Sequence, residues 1–400
     1  MFQNHSRVIR AKWIVPVINS PIENGWVRFG EGKILELGSG DVPRDAIDLG
    51  DVAILPRLVN AHTHLEFSDL ERPVGAPGIA FTDWIKLVIK TRLTASPEAK
   101  GRSVLRGAEE LWESGTVLAG DIATPPQSYA RLSSELDLIS FAEVLGLQDE
   151  RFRERFEVGS EHCEVHPLSG LSPHAPYSIS LGSLEKVIQY ASSLRRPIAM
   201  HVAESPEERE LLSCGSGPLV EMLETIGIST HRHFPWSANP FDQLIQMLGT
   251  LSTVFLVHGN DFQRREIEQL AEHKHITVVY CPRTHSFFNF PKHPVTEMQS
   301  HGVRVVLGTD SRASNPDLNL WNEVRFLLCE RQDIDASQVL KMATLLPAEA
   351  MVNAFPQIGP CGAIASGYRA SLGMVKTTAT TQDQLYRDLS LNEYRNLKYD

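Results

Sequence analysis

The chain has 400 residues, of which 42% are hydrophobic, and a formal net charge of −11. This charge disfavours nucleic acid and anionic membranes as partners, because both repel an acidic surface. Five scattered cysteines form no C-x-x-C pair, and the first residues show no sustained apolar run, so we expect a cytoplasmic protein with reduced thiols and without a signal peptide or transmembrane span.

The two ends of the chain share one sequence pattern. Residues 7–53 contain short strand-like pieces broken by Gly, Asn and Asp, and residues 359–376 resume that pattern. We therefore predict one small, discontinuous β-sandwich domain built from residues 1–54 and 355–400. The polar tail from Thr377 to Asp400 is expected to be only partly ordered.

Between these ends, eight short apolar and β-branched runs alternate with amphipathic stretches. The runs cover residues 55–60, 116–124, 138–146, 165–174, 196–204, 253–259, 276–282 and 303–310. In the stretches between them, apolar residues recur every three or four positions, as in helices. Eight strands alternating with helices predict an α/β fold, a (β/α)₈ TIM-type barrel over residues 55–354.

Five of the eight predicted strands end in histidine or aspartate, at the end where such barrels carry their active sites. These residues are His62 and His64, then His174, His201, His258 and Asp310. Strand residues two apart point to the same side, so the first two imidazoles converge and suggest a metal if further ligands arrive. Six histidines outside strand ends are expected to be ordinary surface residues: His162, His166, His231, His233, His273 and His275.

Six segments around the strand ends are similar to one known family. They read VNAHTHLEFS, LSPHAPYS, HVAES, LVHG, CPRTH and GTDSRASNPDLNLWNE, in the order in which the family carries them. Over essentially its whole length the chain resembles the amidohydrolase superfamily. The most similar branch holds cytosine deaminase, guanine deaminase, S-adenosylhomocysteine deaminase, aminofutalosine deaminase and the triazine hydrolases.

The resemblance implies a set of metal ligands. One divalent ion, with zinc favoured and iron the alternative, would be bound by His62, His64, His201 and Asp310. Two-metal relatives usually add a carboxylated lysine at the end of strand three or four. Neither AEVLGL nor SPHAPY, which end those two predicted strands, contains a lysine, and this favours one metal ion.

The resemblance also implies the catalytic roles. Glu204, three residues after His201, would shuttle protons together with Asp310, while His258 would orient the attacking water and His174 would contact the substrate. These roles fit hydrolytic deamination, because a ring nitrogen must take a proton as its neighbouring carbon becomes tetrahedral. The leaving nitrogen must also be protonated to depart as ammonia, and a carboxylic acid suits that work.

Near the site the sequence departs from its relatives. His285 stands where many of them have Asn, at a position that faces the substrate. The three aromatic residues that follow either cover a flat ring or pack the loop, and these are Phe287, Phe288 and Phe290. Arg57 and Ser371 replace the usual Gly and Asp, the first at the domain junction and the second in the closing β-domain.

Three charged residues are further candidates for substrate contacts. Glu66 and Asp83 are candidates for binding ribose hydroxyls, and Arg283 for pairing with a substrate carboxylate. For Asp83 the alternative is a charge at the start of a helix, where it favours the helix dipole. For Arg283 the alternative is a structural ion pair.

The sequence therefore predicts a mononuclear metal-dependent deaminase of an aminated heterocycle, with a small-molecule substrate. The segments HTHLEFS and FTDWIKLVIKTR favour the aminofutalosine deaminase branch, and with it an adenine-containing nucleoside such as aminofutalosine or S-adenosylhomocysteine. One alternative is a triazine-type hydrolase that displaces another leaving group. The other is a catalytically silent, metal-stabilised barrel that binds a small molecule or a partner protein. The oligomeric state stays open, and a homodimer is compatible with the sequence.

Overall fold

The computed structural model describes residues 6–125 and 136–397. Seven short strands precede the barrel, and they are interrupted by turns at Gly, Asn and Asp. They are β1 (Arg7–Arg10), β2 (Trp13–Ile14), β3 (Ile22–Glu23), β4 (Trp26–Gly30), β5 (Lys33–Gly38), β6 (Ile47–Asp48) and β7 (Val52–Pro56).

Eight parallel strands form the centre of the molecule, and each pairs with the next in chain order. They are β8 (Leu58–Thr63), β9 (Thr116–Ala123), β10 (Asp137–Val144), β11 (Ser169–Pro173), β12 (Ile198–Val202), β13 (Val254–His258), β14 (Ile276–Tyr280) and β15 (Arg304–Leu307). A parallel bridge between Thr63 and Asp310 joins the first strand to the segment after the last. The predicted TIM-type barrel is confirmed, with one strand at each predicted run.

The helices fall mostly between the barrel strands. They are α1 (Phe81–Thr94), α2 (Pro97–Glu113), α3 (Asp149–Val165), α4 (Leu181–Ser193), α5 (Pro206–Cys214), α6 (Pro218–Thr225), α7 (Pro240–Leu248), α8 (Arg264–Glu272), α9 (Pro282–Phe287), α10 (Val295–Ser300), α11 (Leu320–Glu330), α12 (Ala336–Met342), α13 (Leu345–Ala354) and α14 (Gln382–Leu391). Several begin with sequence-readable caps: Ser96 accepts a hydrogen bond from the amide of Ala99, just before α2. Within the described residues, none of these helices is long and apolar enough to cross a membrane.

Two strands near the end of the chain, β16 (Leu372–Lys376) and β17 (Tyr394–Asn396), complete a small domain with the first seven. One sheet has the order β5-β4-β1-β6 and the other β17-β16-β7-β2-β3. Ile14 and Ile54 of the second sheet share a buried cluster with Val27 and Ile34 of the first, as in a sandwich.

The junction between the two parts lies at Arg57. The predicted boundary between residues 54 and 55 falls inside β7, because that strand pairs with β16 as far as Pro56. The Arg57 side chain is buried and donates to the carbonyl oxygens of Trp112, Gly115 and Thr116. Arginine therefore ties the start of β8 to the end of α2 and the start of β9.

Two expectations from the sequence are wrong. The tail was expected to be only partly ordered, but up to residue 397 it forms α14 and β17. Leu385 and Leu389, spaced by four residues, are fully buried on α14 and hold it against the core. His162 is not a surface residue either, since it is 6% exposed and its Nε2 lies 2.7 Å from the hydroxyl of Ser140.

Candidate metal centre and active site

Four metal-type side chains meet at the C-terminal mouth of the barrel, and we name them the donor cluster: His62, His64, His201 and Asp310. The first two come from the end of β8, the third from β12 and the fourth directly after β15. Asp310 Oδ1 lies 3.6 Å from His62 Nε2 and 3.7 Å from His64 Nε2. The Nε2 atoms of His64 and His201 are 3.2 Å apart.

Hydrogen bonds orient the donor cluster toward its own centre. His201 Nδ1 donates to the carbonyl oxygen of His174 at 2.8 Å, so the neutral ring turns the lone pair of Nε2 inward. Burial lowers the pKa of His64 to about 3 and that of His201 well below its ordinary value, which keeps both rings neutral. Ser314 donates to Asp310 Oδ2 at 2.8 Å and leaves Oδ1 facing the histidines.

The donor cluster fits a divalent metal ion. Both ring nitrogens of His62 are buried, and neither has a hydrogen-bond partner among the described residues. Such atoms are costly to bury unless a ligand satisfies them. Ligands about 2.0–2.1 Å from a tetrahedral zinc ion lie roughly 3.3 Å apart, close to the separations found here. Nitrogen and oxygen atoms of His62, His64 and Asp310 all lie within 4.8 Å of one another.

Glu204 and His258 lie beside the donor cluster. Glu204 Oε1 is 3.3 Å from His258 Nε2, and the rings of His258 and His201 are 5.4 Å apart. Burial, with the nearby carboxyls of Asp310 and Glu208, raises the pKa of Glu204 well above its ordinary value. The Glu204 carboxyl therefore lies beside the donor cluster, in surroundings that favour its protonated form.

The backbone is strained where these residues leave their strands. Ala203, His258 and Asp310 have positive φ angles of 52°, 77° and 57°, a region that non-glycine residues rarely adopt. Each such residue costs on the order of 1–3 kcal/mol and persists only where its surroundings fix it. Positive φ angles at or just after the ends of β12, β13 and β15 therefore coincide with or adjoin the predicted site residues.

Comparison with known proteins gives the same assignment. Residues 53–399 match the model of the Amidohydrolase family. The chain belongs to the amidohydrolase family. A 5-methylthioadenosine/S-adenosylhomocysteine deaminase of Pyrococcus furiosus is 26% identical over 392 residues, covering 88% of this chain and 85% of the relative. An aminodeoxyfutalosine deaminase of Deinococcus radiodurans is 30% identical over 304 residues, covering 71% of this chain and 70% of the relative.

Solved structures show the same fold. The aminofutalosine deaminase of Helicobacter pylori, in complex with methylthio-coformycin, has a TM-score of 0.82 at 21% identity, with 98% of this chain and 97% of that chain covered. A zinc-bound adenosine deaminase of Xanthomonas campestris has a TM-score of 0.72 at 21% identity, with 96% and 89% covered. The predicted family is confirmed, and the amidohydrolase is a hydrolase that acts on C–N bonds.

Several supporting residues of the amidohydrolase were missed in the sequence. Asn60 Oδ1 accepts the amides of His62 and Thr309, each at 3.2 Å, and so links β8 to the segment after β15, which together carry three of the four donor-cluster residues. His293 is 1% exposed, and its Nε2 lies 2.9 Å from the carbonyl oxygen of the strained His258. A lone Asn or His inside a loop or strand pattern carries no sign of such a role.

A second group of missed residues surrounds Glu66 at the mouth. Arg92 lies 2.9 Å from Glu66 Oε1 and 2.5 Å from Glu143 Oε2. Burial favours the neutral form of Glu143, but the Arg92 guanidinium outweighs it and holds the pKa at about 2. Glu66 Oε2 is buried without a hydrogen-bond partner among the described residues. Its predicted substrate contact stays a prediction, and this free acceptor is compatible with it.

His174 and His285 were predicted to contact the substrate. The His174 ring lies 4.9 Å from that of His201, and its Nδ1 is 3.0 Å from the hydroxyl of Ser178. His285 is buried, and its ring lies 5.9 Å from the ring of Phe290. Its Nε2 has no hydrogen-bond partner in the part of the chain that is described. His174 thus borders the donor cluster, while both substrate contacts stay predictions.

The structure places Asp83 and Arg283 in other roles. Asp83 lies in the first turn of α1, where its 61% exposed side chain pairs with Lys86 at 3.0 Å. Arg283 pairs at 2.7 Å with both Asp317 and Glu323. For each residue the geometry supports the structural alternative, a helix-terminal charge for Asp83 and an ion pair for Arg283.

The aromatic loop residues pack against the start of α1. The ring of Phe288 lies 5.8 Å from Phe81, 5.1 Å from Trp84 and 5.2 Å from Phe290. Trp84 also donates its indole N–H to the carbonyl oxygen of Ala313. These contacts support loop packing, and they join the segments that follow β8, β14 and β15.

Proposed function

We propose that this amidohydrolase is a mononuclear, zinc-dependent deaminase that removes the amino group of an adenine-containing nucleoside as ammonia. The observation that carries the proposal is the pair of Glu204 and His258, 3.3 Å apart beside the donor cluster. A buried, protonated carboxyl at that position suits the protonation of a ring nitrogen and the handling of a proton for a leaving amine.

The donor cluster would hold the metal ion through His62, His64, His201 and Asp310. Three neutral imidazoles and one carboxylate match the ligand preferences of zinc, and iron is the alternative. A divalent ion in this place supplies a Lewis acid and lowers the pKa of water from 15.7 toward roughly 7.

The side chains supply the proton transfers. Glu204 donates its proton to the ring nitrogen as water adds to the neighbouring carbon, and Asp310 accepts a proton of that water. His258 Nε2 orients the water. The leaving nitrogen takes the proton from Asp310 and departs as ammonia. The new hydroxyl group then returns its proton to Glu204, which restores the starting state.

An adenine-containing nucleoside is the substrate class that the relatives support best. The two relatives are named as deaminases of 5-methylthioadenosine or S-adenosylhomocysteine and of aminodeoxyfutalosine. The unpartnered Glu66 Oε2 offers an acceptor for a substrate hydroxyl. Displacement of chloride from a triazine is disfavoured, because chloride leaves without a proton, whereas an amine must be protonated to leave. A silent barrel would need neither Glu204 nor His258.

The test is an ammonia-release screen of the zinc-loaded protein against adenosine-type nucleosides, guanine, cytosine, pterins and aminated triazines. We expect turnover of a 5′-substituted adenosine, such as 5-methylthioadenosine or aminodeoxyfutalosine, and one zinc ion per chain by elemental analysis. The matched control is Glu204→Gln, which keeps the metal and the fold. Chloride release from a chlorinated triazine, assayed in parallel, together with no ammonia from any compound of the screen would establish the triazine alternative. Release of ammonia from none of the compounds by the metal-loaded protein would contradict the proposal.

A further inference from the structure

Glu204 projects from a turn whose backbone is held by other side chains. The turn follows β12, and its first residue, Ala203, has a positive φ of 52°. The carbonyl oxygen of Glu204 accepts a hydrogen bond from Asn260 Nδ2 at 2.9 Å. The carbonyl oxygen of Ala203 accepts the amide of Asp261 at 2.9 Å. Both acceptors of the turn are therefore fixed by the loop after β13.

The two amides of this turn are bound by a single buried carboxyl group. Glu208 is fully buried on the first turn of α5. Its Oε1 accepts the amide of Ala203 at 3.2 Å, and its Oε2 accepts the amide of Glu204 at 2.9 Å. One side chain thus satisfies both donors through its two oxygens. Burial raises the pKa of Glu208 to about 8, while the two amide hydrogen bonds act in the opposite direction.

This arrangement differs from an ordinary helix cap. Ser205 is the N-cap of α5, Pro206 opens the helix, and Glu208 is its third residue. In a capping box the third residue binds the amide of the N-cap itself. Here Glu208 reaches past the cap to the two residues before it, and the hydroxyl of Ser205 has no hydrogen-bond partner among the described residues. The carboxyl serves the catalytic turn instead of the helix end.

We propose that Glu208 is a positioning residue that acts through Glu204, an inference that rests on the proposed deaminase function. Its two hydrogen bonds fix the strained peptide of Ala203 and Glu204. They thereby hold Glu204 Oε1 3.3 Å from His258 Nε2. Without them the turn relaxes toward ordinary backbone angles, and the Glu204 carboxyl leaves its place beside the metal centre.

The chain offers a matched control in Glu266. This residue is also buried and is the third residue of α8, but its Oε2 forms an ordinary capping box with the amide of the N-cap Gln263 at 2.7 Å, and its Oε1 accepts a hydrogen bond from Arg209 Nη1 at 2.7 Å. Glu208→Gln and Glu266→Gln each replace one acceptor oxygen by a donor amide at the same helical position. A merely structural role of Glu208 predicts that both variants lose stability and that neither lowers kcat.

We expect both variants to lose thermal stability and both to keep one metal ion per chain. Glu208→Gln should lower kcat by about 10²-fold with little change in KM, as a misplaced catalytic group does. Glu266→Gln should stay within about threefold of the wild type in kcat. If Glu208 acts through Glu204, the double variant with Glu204→Gln is no slower than Glu204→Gln alone. An unchanged kcat in Glu208→Gln, or effects that multiply in the double variant, would overturn the proposal.

A crystal structure of metal-loaded Glu208→Gln gives a readout that needs no substrate. We expect the separation between Glu204 and His258 Nε2 to exceed hydrogen-bonding distance in this variant and to be preserved in Glu266→Gln. An unmoved Glu204 would refute the positioning role even if deamination is established. If the wild type deaminates nothing, the proposed function fails, and the crystal structure still decides whether Glu208 positions Glu204.

Discussion

Two polar clusters, one buried and one only partly buried, differ in how completely their own hydrogen bonds satisfy their polar atoms. The first is the donor cluster, in which both ring nitrogens of His62 lack hydrogen-bond partners among the described residues. The second, which we name the Arg283 cluster, consists of Arg283, Asp317 and Glu323. There Arg283 donates hydrogen bonds to all four carboxylate oxygens, to three through its guanidinium and to Glu323 Oε2 through its backbone amide.

The difference separates a functional site from a structural one. A buried polar group with all partners in place stabilises the fold and needs nothing else. A buried group without partners is costly, and where several side chains of the metal-binding type converge on one point, as in the donor cluster, it indicates a ligand that completes them. The presence of charged residues alone does not make this distinction, because both clusters are rich in ionisable residues and both can be seen in the sequence.

The largest effect is expected from removing a member of the donor cluster. His201→Ala deletes one of four ligands, and we expect it to abolish both metal binding and ammonia release. Elemental analysis after dialysis measures the first, and a continuous ammonia assay the second. Full metal occupancy in this variant, or two metal ions per wild-type chain, would disprove the mononuclear four-ligand site.

Glu204→Gln tests the proton transfer beside the donor cluster and leaves the four donor-cluster side chains unchanged. The amide keeps the size of the side chain but cannot shuttle a proton, so we expect ammonia release to slow by at least about 10³-fold. Metal content and melting temperature should stay close to those of the wild type. Turnover within about tenfold of the wild type would leave Glu204 without a role as an acid, since a missing acid–base costs more.

Arg283→Met tests the Arg283 cluster, whose members satisfy one another. Removing the cation leaves the fully buried Glu323 without its charge partner, and we expect a loss of about 3 kcal/mol in the free energy of unfolding. Urea denaturation measures this loss, while metal content should remain at one ion per chain. The reverse pattern, unchanged stability with a raised KM, would show that Arg283 binds substrate after all.

The smallest effect is expected from His174→Ala. Its ring borders the donor cluster, yet the four ligands are complete without it. We therefore expect KM to rise about five- to tenfold, the size of one lost hydrogen bond, while metal content is retained. Metal content that falls in parallel with activity would make His174 part of the ligand set.

The sequence predicts the barrel and the donor cluster because both follow local rules. Buried parallel strands are continuous apolar runs, and parallel strands bring their C-terminal ends to one edge. His62, His64 and Asp310 are therefore recognisable by their place at the end of a run. The polar tail was misjudged because the spacing of Leu385 and Leu389 is a weak signal within a charged helix.

The supporting residues could not be predicted in the same way. Glu208 lies in PEERELL, where three of its neighbours are also charged, and a sequence reader assigns such a segment to solvent. Its burial follows from the packing of α5 against the barrel, not from its own neighbours. His293 and Arg92 likewise gain their roles only through partners 35 and 51 positions away in the chain, which are His258 and Glu143.

The split small domain has a consequence for how the molecule is made. Strand β7 leads into β8 and the first two metal ligands, and it pairs on one side with β16, which lies more than 300 residues later. During synthesis on a ribosome, that side of β7 stays open while the entire barrel emerges. Open strand edges invite pairing with other chains. Nascent chains of this amidohydrolase therefore depend on β16, which is made near the end of synthesis, to cover an edge that has been open since β7 emerged.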